Sequence, residues 1–379
     1  MGGSSGSDGA MDRLNNSMHG GNVYEAARAL RRPVSQLVDF SDSVNPLGPS
    51  PRALQAITRA CRLLQHYPDP DCVALRQALA SRWRCDPGRI VLGNGSTELI
   101  HLFPTALRLR HLLVVGPTFS EYAKAMQKCG GRVSTVLAER ADGYRPPVVR
   151  AIHAMGQNGR RRRGSSAVDA VVLCNPNSPT GQACDQDDVI NLARVCERRG
   201  VQVIIDETFA DYCEERSVMP LIHRIGRVTV LRSFTKFFGL PGLRLGCLIA
   251  HPEIAQRVRS CQPPWSVNTL AQEAGLAALE DRRYMQLSRS FMTRERARFS
   301  TLLEALPGCR VFPSNANFLL MELPREGQVR EVTVQLRREG LLIRDCSAVP
   351  GLNGRSIRIA VRKRSENNRL VRALSYLLR

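Results

Sequence analysis

An α/β fold is predicted, with a doubly wound, mostly parallel sheet forming a large domain and a smaller α+β domain after it. Three features of the sequence point there. Six short runs, at 90–92, 112–115, 170–173, 202–205, 228–231 and 245–250, are largely apolar on both faces, as strands buried in a parallel sheet are. Amphipathic stretches of helical length separate them, which is how βαβ crossovers read. From about Asn268 the pattern changes to long amphipathic helices followed by a few strands.

The elements follow in order. Residues 1–18 read as a disordered N-terminus, since the stretch to Asn16 is rich in Gly, Ser and Asp and has no apolar leader segment. Residues 19–50 read as an arm belonging to the small domain, 51–267 as the large domain and 268–379 as the C-terminal small domain. The helix expected over 186–199 has Asp185 as its N-cap and Gly200 as its stop. Strands are expected at 310–312, 318–322, 341–344 and 356–361, before a terminal helix. No internal repeat or long low-complexity linker interrupts the chain.

The chain has 379 residues, 43% of them hydrophobic, and its 54 Lys and Arg against 34 acidic residues give a formal charge of +20. Such a balance suits nucleic acid, a membrane surface or an anionic small substrate. The excess is diffuse; Arg289 to Arg298 reads as a solvated helix face. The arginine run at 160–163 reads as an exposed loop, without the interleaved aromatic platforms of an RNA grip. No apolar run approaches the ~20 residues of a membrane helix. The 12 cysteines form no Cys-x-x-Cys pair, and none has metal-ligand spacing to a histidine. Reduced thiols, a cytoplasmic setting and no metal site are expected.

Four segments carry chemistry. In Leu231-Arg-Ser-Phe-Thr-Lys236, a lysine follows a buried strand and the hydroxyls of Ser233 and Thr235; a desolvated amine there is nucleophilic towards an aldehyde. Arg244, eight residues on, can return to the site and grip a phosphate. Val203-Ile-Ile-Asp-Glu207 ends a strand in a carboxylate, Asp206, which needs a cation such as a protonated pyridine nitrogen. Leu92-Gly-Asn-Gly-Ser-Thr-Glu98 opens a helix whose first N–H groups can bind an anion. Asn175-Pro-Asn-Ser-Pro-Thr-Gly181 is a rigid turn. Singly, each has a bland alternative: a surface lysine, a structural ion pair, a common glycine turn.

Together and in this order, the four segments resemble the fold-type-I pyridoxal 5′-phosphate (PLP) enzymes of the aspartate-aminotransferase fold. They are more closely similar to the histidinol-phosphate aminotransferase branch, and within it to the L-threonine-O-3-phosphate decarboxylases of cobalamin biosynthesis. The marks are His19-Gly-Gly-Asn22, Asp39-Phe-Ser41 with Asn45-Pro-Leu-Gly48, Tyr67-Pro-Asp69, Asp206-Glu-Thr-Phe209, Pro264-Trp-Ser-Val-Asn268, Arg344 and Pro350-Gly-Leu352. The resemblance runs from about His19 to the C-terminus.

The resemblance implies the roles. Lys236 would join the cofactor, Asp206 would pair with its ring nitrogen, and Tyr122 would stack on the ring. Gly95, Ser96, Thr97, Ser233 and Arg244 would surround its phosphate, joined by Tyr67 of the partner subunit, so that a homodimer is required; Thr235 would also contact the cofactor. Arg358 would hold the substrate carboxylate, and Arg344 with His19 and Gly20 the substrate phosphate. Ser178 stands where the family has an asparagine facing the cofactor's 3′-oxygen, and Ser43 where the decarboxylases have another. A serine can donate in either place but reaches less far. The reaction implied is decarboxylation of a phosphorylated amino acid, L-threonine O-3-phosphate foremost. Transamination of histidinol phosphate, or decarboxylation of phosphoserine, would use the same residues; Phe209, where the aminotransferases carry tyrosine, and the His19 segment favour the decarboxylase. A basic nucleic-acid-binding module has only the charge behind it.

Overall fold

The computed structural model describes residues 20–157, 167–222 and 226–379. His19 and the arginine run at 160–163 lie outside the described residues. In chain order the strands are β1 (Val38–Asp39), β2 (Ile90–Asn94), β3 (His111–Gly116), β4 (Arg132–Leu137), β5 (Ala170–Cys174), β6 (Gln202–Asp206), β7 (Val228–Ser233), β8 (Leu245–Ile249), β9 (Arg310–Val311), β10 (Phe318–Glu322), β11 (Leu341–Leu342), β12 (Arg344–Asp345) and β13 (Ser356–Ala360).

Seven strands build the main sheet in the order β2-β8-β7-β6-β5-β3-β4. All neighbours are parallel except β8, which runs antiparallel to both β2 and β7. The period of two is visible in the packing. Val171, Val203 and Val230 enter the large core on one face, while Val172, Ile204 and Leu231 enter a second core on the other. Both faces are therefore covered, which is why these strands are apolar throughout. β4 was not among the six runs expected from sequence. It is the sheet's edge, its residues are exposed or half-buried, and its polar Arg132, Ser134 and Thr135 break the apolar pattern.

The C-terminal part carries a four-stranded antiparallel sheet in the order β12-β13-β10-β9 and the terminal helix Arg364–Leu377. The N-terminal arm reaches the same region, with β1 pairing parallel to β11. The single strand expected at 341–344 is two: β11 pairs with the arm, and after Ile343 the chain changes partner so that β12 pairs with β13. Helix Gln186–Arg199 ends at Gly200 in the left-handed conformation, as read from sequence, but Asp185 does not cap its start; that carboxylate pairs with Arg216 instead. Among the described residues no helix is long and apolar enough to cross a membrane.

Candidate active site

A cleft of about 1190 Å³ opens at the carboxyl ends of β5, β6 and β7, walled on the far side by the arm and by β12 and β13. This is where ligands bind in doubly wound sheets, because successive strands leave their loops diverging there. Of the residues singled out from sequence, Gly20, Ser43, Ser96, Thr97, Ser178, Asp206, Ser233, Thr235, Lys236, Arg244, Arg344 and Arg358 all line it.

Asp206 closes β6 and is largely buried. Its Oδ2 accepts a hydrogen bond from the Tyr122 hydroxyl at 2.7 Å, and its Oδ1 accepts one from the Thr208 amide at 2.9 Å. Burial first, and then Asp206, push the Tyr122 hydroxyl well above its ordinary value, so it stays protonated and donates. This places Tyr122 behind the aspartate rather than over a ring. It is 2% exposed, packs with Val172, Ile204 and Leu231, and does not line the cleft. The stacking expected of it is corrected on that ground. Tyr122 lies inside helix Glu121–Lys128, whose inner face turns to the sheet, whereas Phe119 in the preceding turn faces the cleft.

The anion cradle is built on Gly95, which precedes helix Ser96–Ala106 with φ +78°. A Cβ there would lie 2.5 Å from Nη2 of Arg244, so only glycine lets the guanidinium lie against the start of the helix. Ser96 and Thr97 line the cleft beside it, and Ser233 Oγ lies 2.7 Å from Thr235 Oγ1. Glu98, in the same first turn, is tied to the Asn94 amide at 2.7 Å and the Ser266 hydroxyl at 2.9 Å. The cradle thus offers amide, hydroxyl and guanidinium donors to a dianion.

Lys236 is placed by the arm: its carbonyl accepts from the Asn45 amide at 2.9 Å, and its Nζ donates to Asp42 Oδ1 at 2.6 Å. Sequence reading passed over Asp42, although an acidic residue inside the Asp39–Gly48 motif was a signal in plain view. Burial works to raise the Asp42 carboxyl, but Lys236 and then Arg358 outweigh it and hold it below the usual carboxylate range. A phosphate cradle, a lysine amine and a carboxylate acceptor in one cleft fit pyridoxal phosphate in donor and acceptor character. Gly95, Ser96, Thr97, Ser233 and Arg244 could hold its phosphate, Lys236 its aldehyde and Asp206 its ring nitrogen.

Arg358 on β13 donates from Nη1 to Ser178 Oγ at 2.9 Å and from Nη2 to the Ser41 carbonyl at 2.7 Å, and it lies 5.0 Å over the Phe318 ring. Arg344 faces it in register across β12 and β13. Burial first, then Arg344, lower the Arg358 guanidinium to about 10. Ser43 is 1% exposed, and among the described residues its Oγ has no hydrogen-bond partner. A Cβ on Gly20 would lie 2.2 Å from the Ser41 carbonyl, which fixes a glycine where the arm crosses the site. Asn22 of the same motif caps helix Val23–Leu30. Asn177 turns away, donating to the Pro117 carbonyl and to Thr180 Oγ1. Tyr67 is 78% exposed and stacks on Trp265 at 4.5 Å, outside the cleft of its own chain. Phe119 and Arg330 line the cleft without having been foreseen.

Comparison with known proteins agrees with this geometry. Residues 35–374 match the family of aminotransferases class I and II. The threonine-phosphate decarboxylase of Salmonella typhimurium is 36% identical over 371 residues, covering 96% of this chain and 98% of that protein. The crystal structure of L-threonine-O-3-phosphate decarboxylase from Porphyromonas gingivalis superposes with a TM-score of 0.76 at 27% identity, over 89% of this chain and 98% of that one. That of the histidinol-phosphate aminotransferase from Clostridium acetobutylicum gives 0.82 at 28%, over 90% and 99%. With the match spanning nearly the whole chain and the cofactor's donor set assembled in one cleft, the chain belongs to the aminotransferase class I and II family and is a PLP-dependent enzyme of fold type I.

Proposed function

We propose that this enzyme decarboxylates L-threonine O-3-phosphate to (R)-1-amino-2-propanol phosphate, as a cytoplasmic homodimer serving cobalamin biosynthesis. The observation that carries the reading is the Arg344–Arg358 pair, opposed in register and lining the same cleft as Lys236. Like charges directly opposite across two strands destabilise a sheet. A substrate with two anions close together turns that cost into two charge-assisted contacts, each worth about 1.5–3 kcal/mol.

Bound PLP supplies an electron sink for negative charge developing at the substrate's Cα. The protein's residues do the rest. Asp206, itself held by Tyr122 and Thr208, keeps a proton on the ring nitrogen. Phe119 offers the aromatic face, Ser178 a hydroxyl towards the 3′-oxygen, and Tyr67 of the partner subunit a further contact to the cofactor phosphate. Arg358 holds the substrate carboxylate; Arg344, with Gly20, Ser43 and His19, holds its phosphate. Anchoring both ends would fix rotation about Cα and so select which of its bonds breaks. Lys236 then returns a proton to Cα.

The test is to incubate the purified enzyme with phosphothreonine, phosphoserine and histidinol phosphate, following carbon dioxide and keto products. Carbon dioxide from phosphothreonine is expected. Phosphoserine as the better substrate would move the assignment to a neighbouring decarboxylase, a choice that Ser43 and Ser178 leave open. The second reading, amino transfer from histidinol phosphate, is supported by the histidinol-phosphate aminotransferases among the similar proteins and structures. Keto product formed with 2-oxoglutarate, and no carbon dioxide from any phosphorylated amino acid, would establish it.

A further inference from the structure

A phosphate monoester asks for more than one arginine. It has three terminal oxygens and carries close to two negative charges above about pH 6, whereas one guanidinium fork covers two oxygens and one charge. In the reading above Arg344 supplies one fork, and Arg358 is held for the carboxylate by Ser178, the Ser41 carbonyl and the Phe318 ring. Among the described residues the other cations lining the cleft are Lys124, Lys236, Arg244 and Arg330. Lys236 donates to Asp42 at 2.6 Å, Lys124 donates to Glu121 at 2.7 Å, and Arg244 lies against Gly95 in the anion cradle. Arg330 belongs to the substrate's end. It stands in the first turn of helix Gln328–Arg338, which packs on β12, the strand that carries Arg344. Val329, Val332 and Leu336 of that helix enter the large core, which leaves Arg330 on the outer side, exposed and bordering the cleft. Two acids line the cleft near it. Asp345 follows Arg344 on β12, its Oδ1 accepting from the Ser347 amide at 2.8 Å and hydroxyl at 2.6 Å, and Asp42 comes from the arm.

We propose, resting on the assignment of Arg344 to the substrate phosphate, that Arg330 is a specificity-determining residue that brings the second cation to that phosphate. It thereby selects the dianion of a phosphate monoester over its monoanion and over a free hydroxyl. Because Arg330 is exposed, it acts as a screened charge, and its share is smaller than that of Arg344.

The experiment uses the full-length, PLP-loaded protein as wild type, Arg330→Gln, Arg330→Lys and Arg344→Ala, with phosphothreonine and threonine as probes. Binding is read by rapid mixing from the absorbance change of the bound cofactor, so the result does not depend on which bond at Cα then breaks. In Arg330→Gln the ratio of Kd for threonine over Kd for phosphothreonine should fall roughly two- to fivefold at low salt. The difference from wild type should shrink in about 1 M salt, where exposed charges are screened within ~3 Å. Between about pH 5 and pH 7 the ratio should rise in the wild type as the phosphate loses its second proton, and rise less in Arg330→Gln. Taking the ratio cancels the titration of protein groups that both probes meet. Arg330→Lys should keep most of the preference, since a point charge suffices at an exposed position. A ratio unchanged in Arg330→Gln, or an equal loss on threonine and phosphothreonine, would overturn the proposal. If Arg344→Ala lowers the ratio and Arg330→Gln does not, the phosphate assignment stands without Arg330; if neither lowers it, the assignment itself fails.

Discussion

Replacing Arg344 by alanine tests the substrate assignment directly. Arg344 and Arg358 occupy opposed positions on β12 and β13, and both line the cleft. If Arg344 holds the substrate phosphate, its removal forfeits a bidentate, charge-assisted contact of about 1.5–3 kcal/mol. At about 1.4 kcal/mol per factor of ten, kcat/KM for phosphothreonine should fall roughly 10- to 150-fold. A substrate carrying only a carboxylate makes no phosphate contact to lose, so kcat/KM for threonine should change little. The ratio of kcat/KM for phosphothreonine over threonine should therefore fall by about the loss on phosphothreonine. Arg344→Lys should recover only part, since an ammonium lacks the planar fork. Steady-state kinetics with both substrates decides the matter. An equal loss on threonine and its phosphate, or no loss on the phosphate, would refute the role given to Arg344.

The other predictions concern the cofactor, the partner and stability. Borohydride treatment of the wild type should fix PLP to the peptide carrying Lys236; Lys236→Ala should show no covalent attachment and lose turnover, and a variant that kept both would defeat the assignment. Mixing Lys236→Ala with Tyr67→Phe subunits should restore activity above either parent if Tyr67 reaches the partner's cleft, and a fully active monomer by light scattering would exclude this. For stability, burial tends to raise the Glu322 carboxyl, but hydrogen bonds and charge from Arg140, with Asn353 and Arg355, hold it below its ordinary value. A depressed carboxyl contributes stability that is present above the unfolded value near 4.5 and is lost as pH falls through the folded one. Arg140→Gln should therefore lower the chemical denaturation midpoint at pH 7, by about 1–2 kcal/mol in stability, and the gap should close under acid; a gap independent of pH would refute the charge argument.

What could be read from the sequence divides along the range of the forces involved. β5, β6 and β7 were legible because burial on both faces leaves unbroken apolar runs; Asp206 and Lys236 were legible because each stands at or just beyond the end of such a run, and Arg244 because it stands eight residues after Lys236. β4 was hidden because an edge strand is free to carry polar residues. Tyr122 was misassigned because a shift of three positions, from Phe119 in a turn to Tyr122 inside a helix, turns a side chain from the cleft to the core. The capping role of Asp185 failed through competition, since Arg216 offered its carboxylate a full charge in place of an amide dipole. Asp42 and the opposition of Arg344 to Arg358 depend on chain closure and register. Nothing local in sequence encodes which residue 194 positions away will meet Lys236.

The same register bears on the size of the substrate. Residues directly opposite on neighbouring antiparallel strands hold their Cβ atoms roughly 4.5–5.5 Å apart. Two guanidinium groups rooted that close, one of them fixed by Ser178, the Ser41 carbonyl and the Phe318 ring, serve anions separated by only a few bonds. In a phosphorylated β-hydroxy amino acid, only Cα, Cβ and one ester oxygen separate carboxylate from phosphate, so the two anions lie close enough for arginines rooted side by side. Histidinol phosphate brings a single anion on its carbon skeleton and so makes one such contact in place of two. The spacing of the two arginines, more than either residue alone, is thus what supports a short dianionic amino acid over the longer aminotransferase substrate.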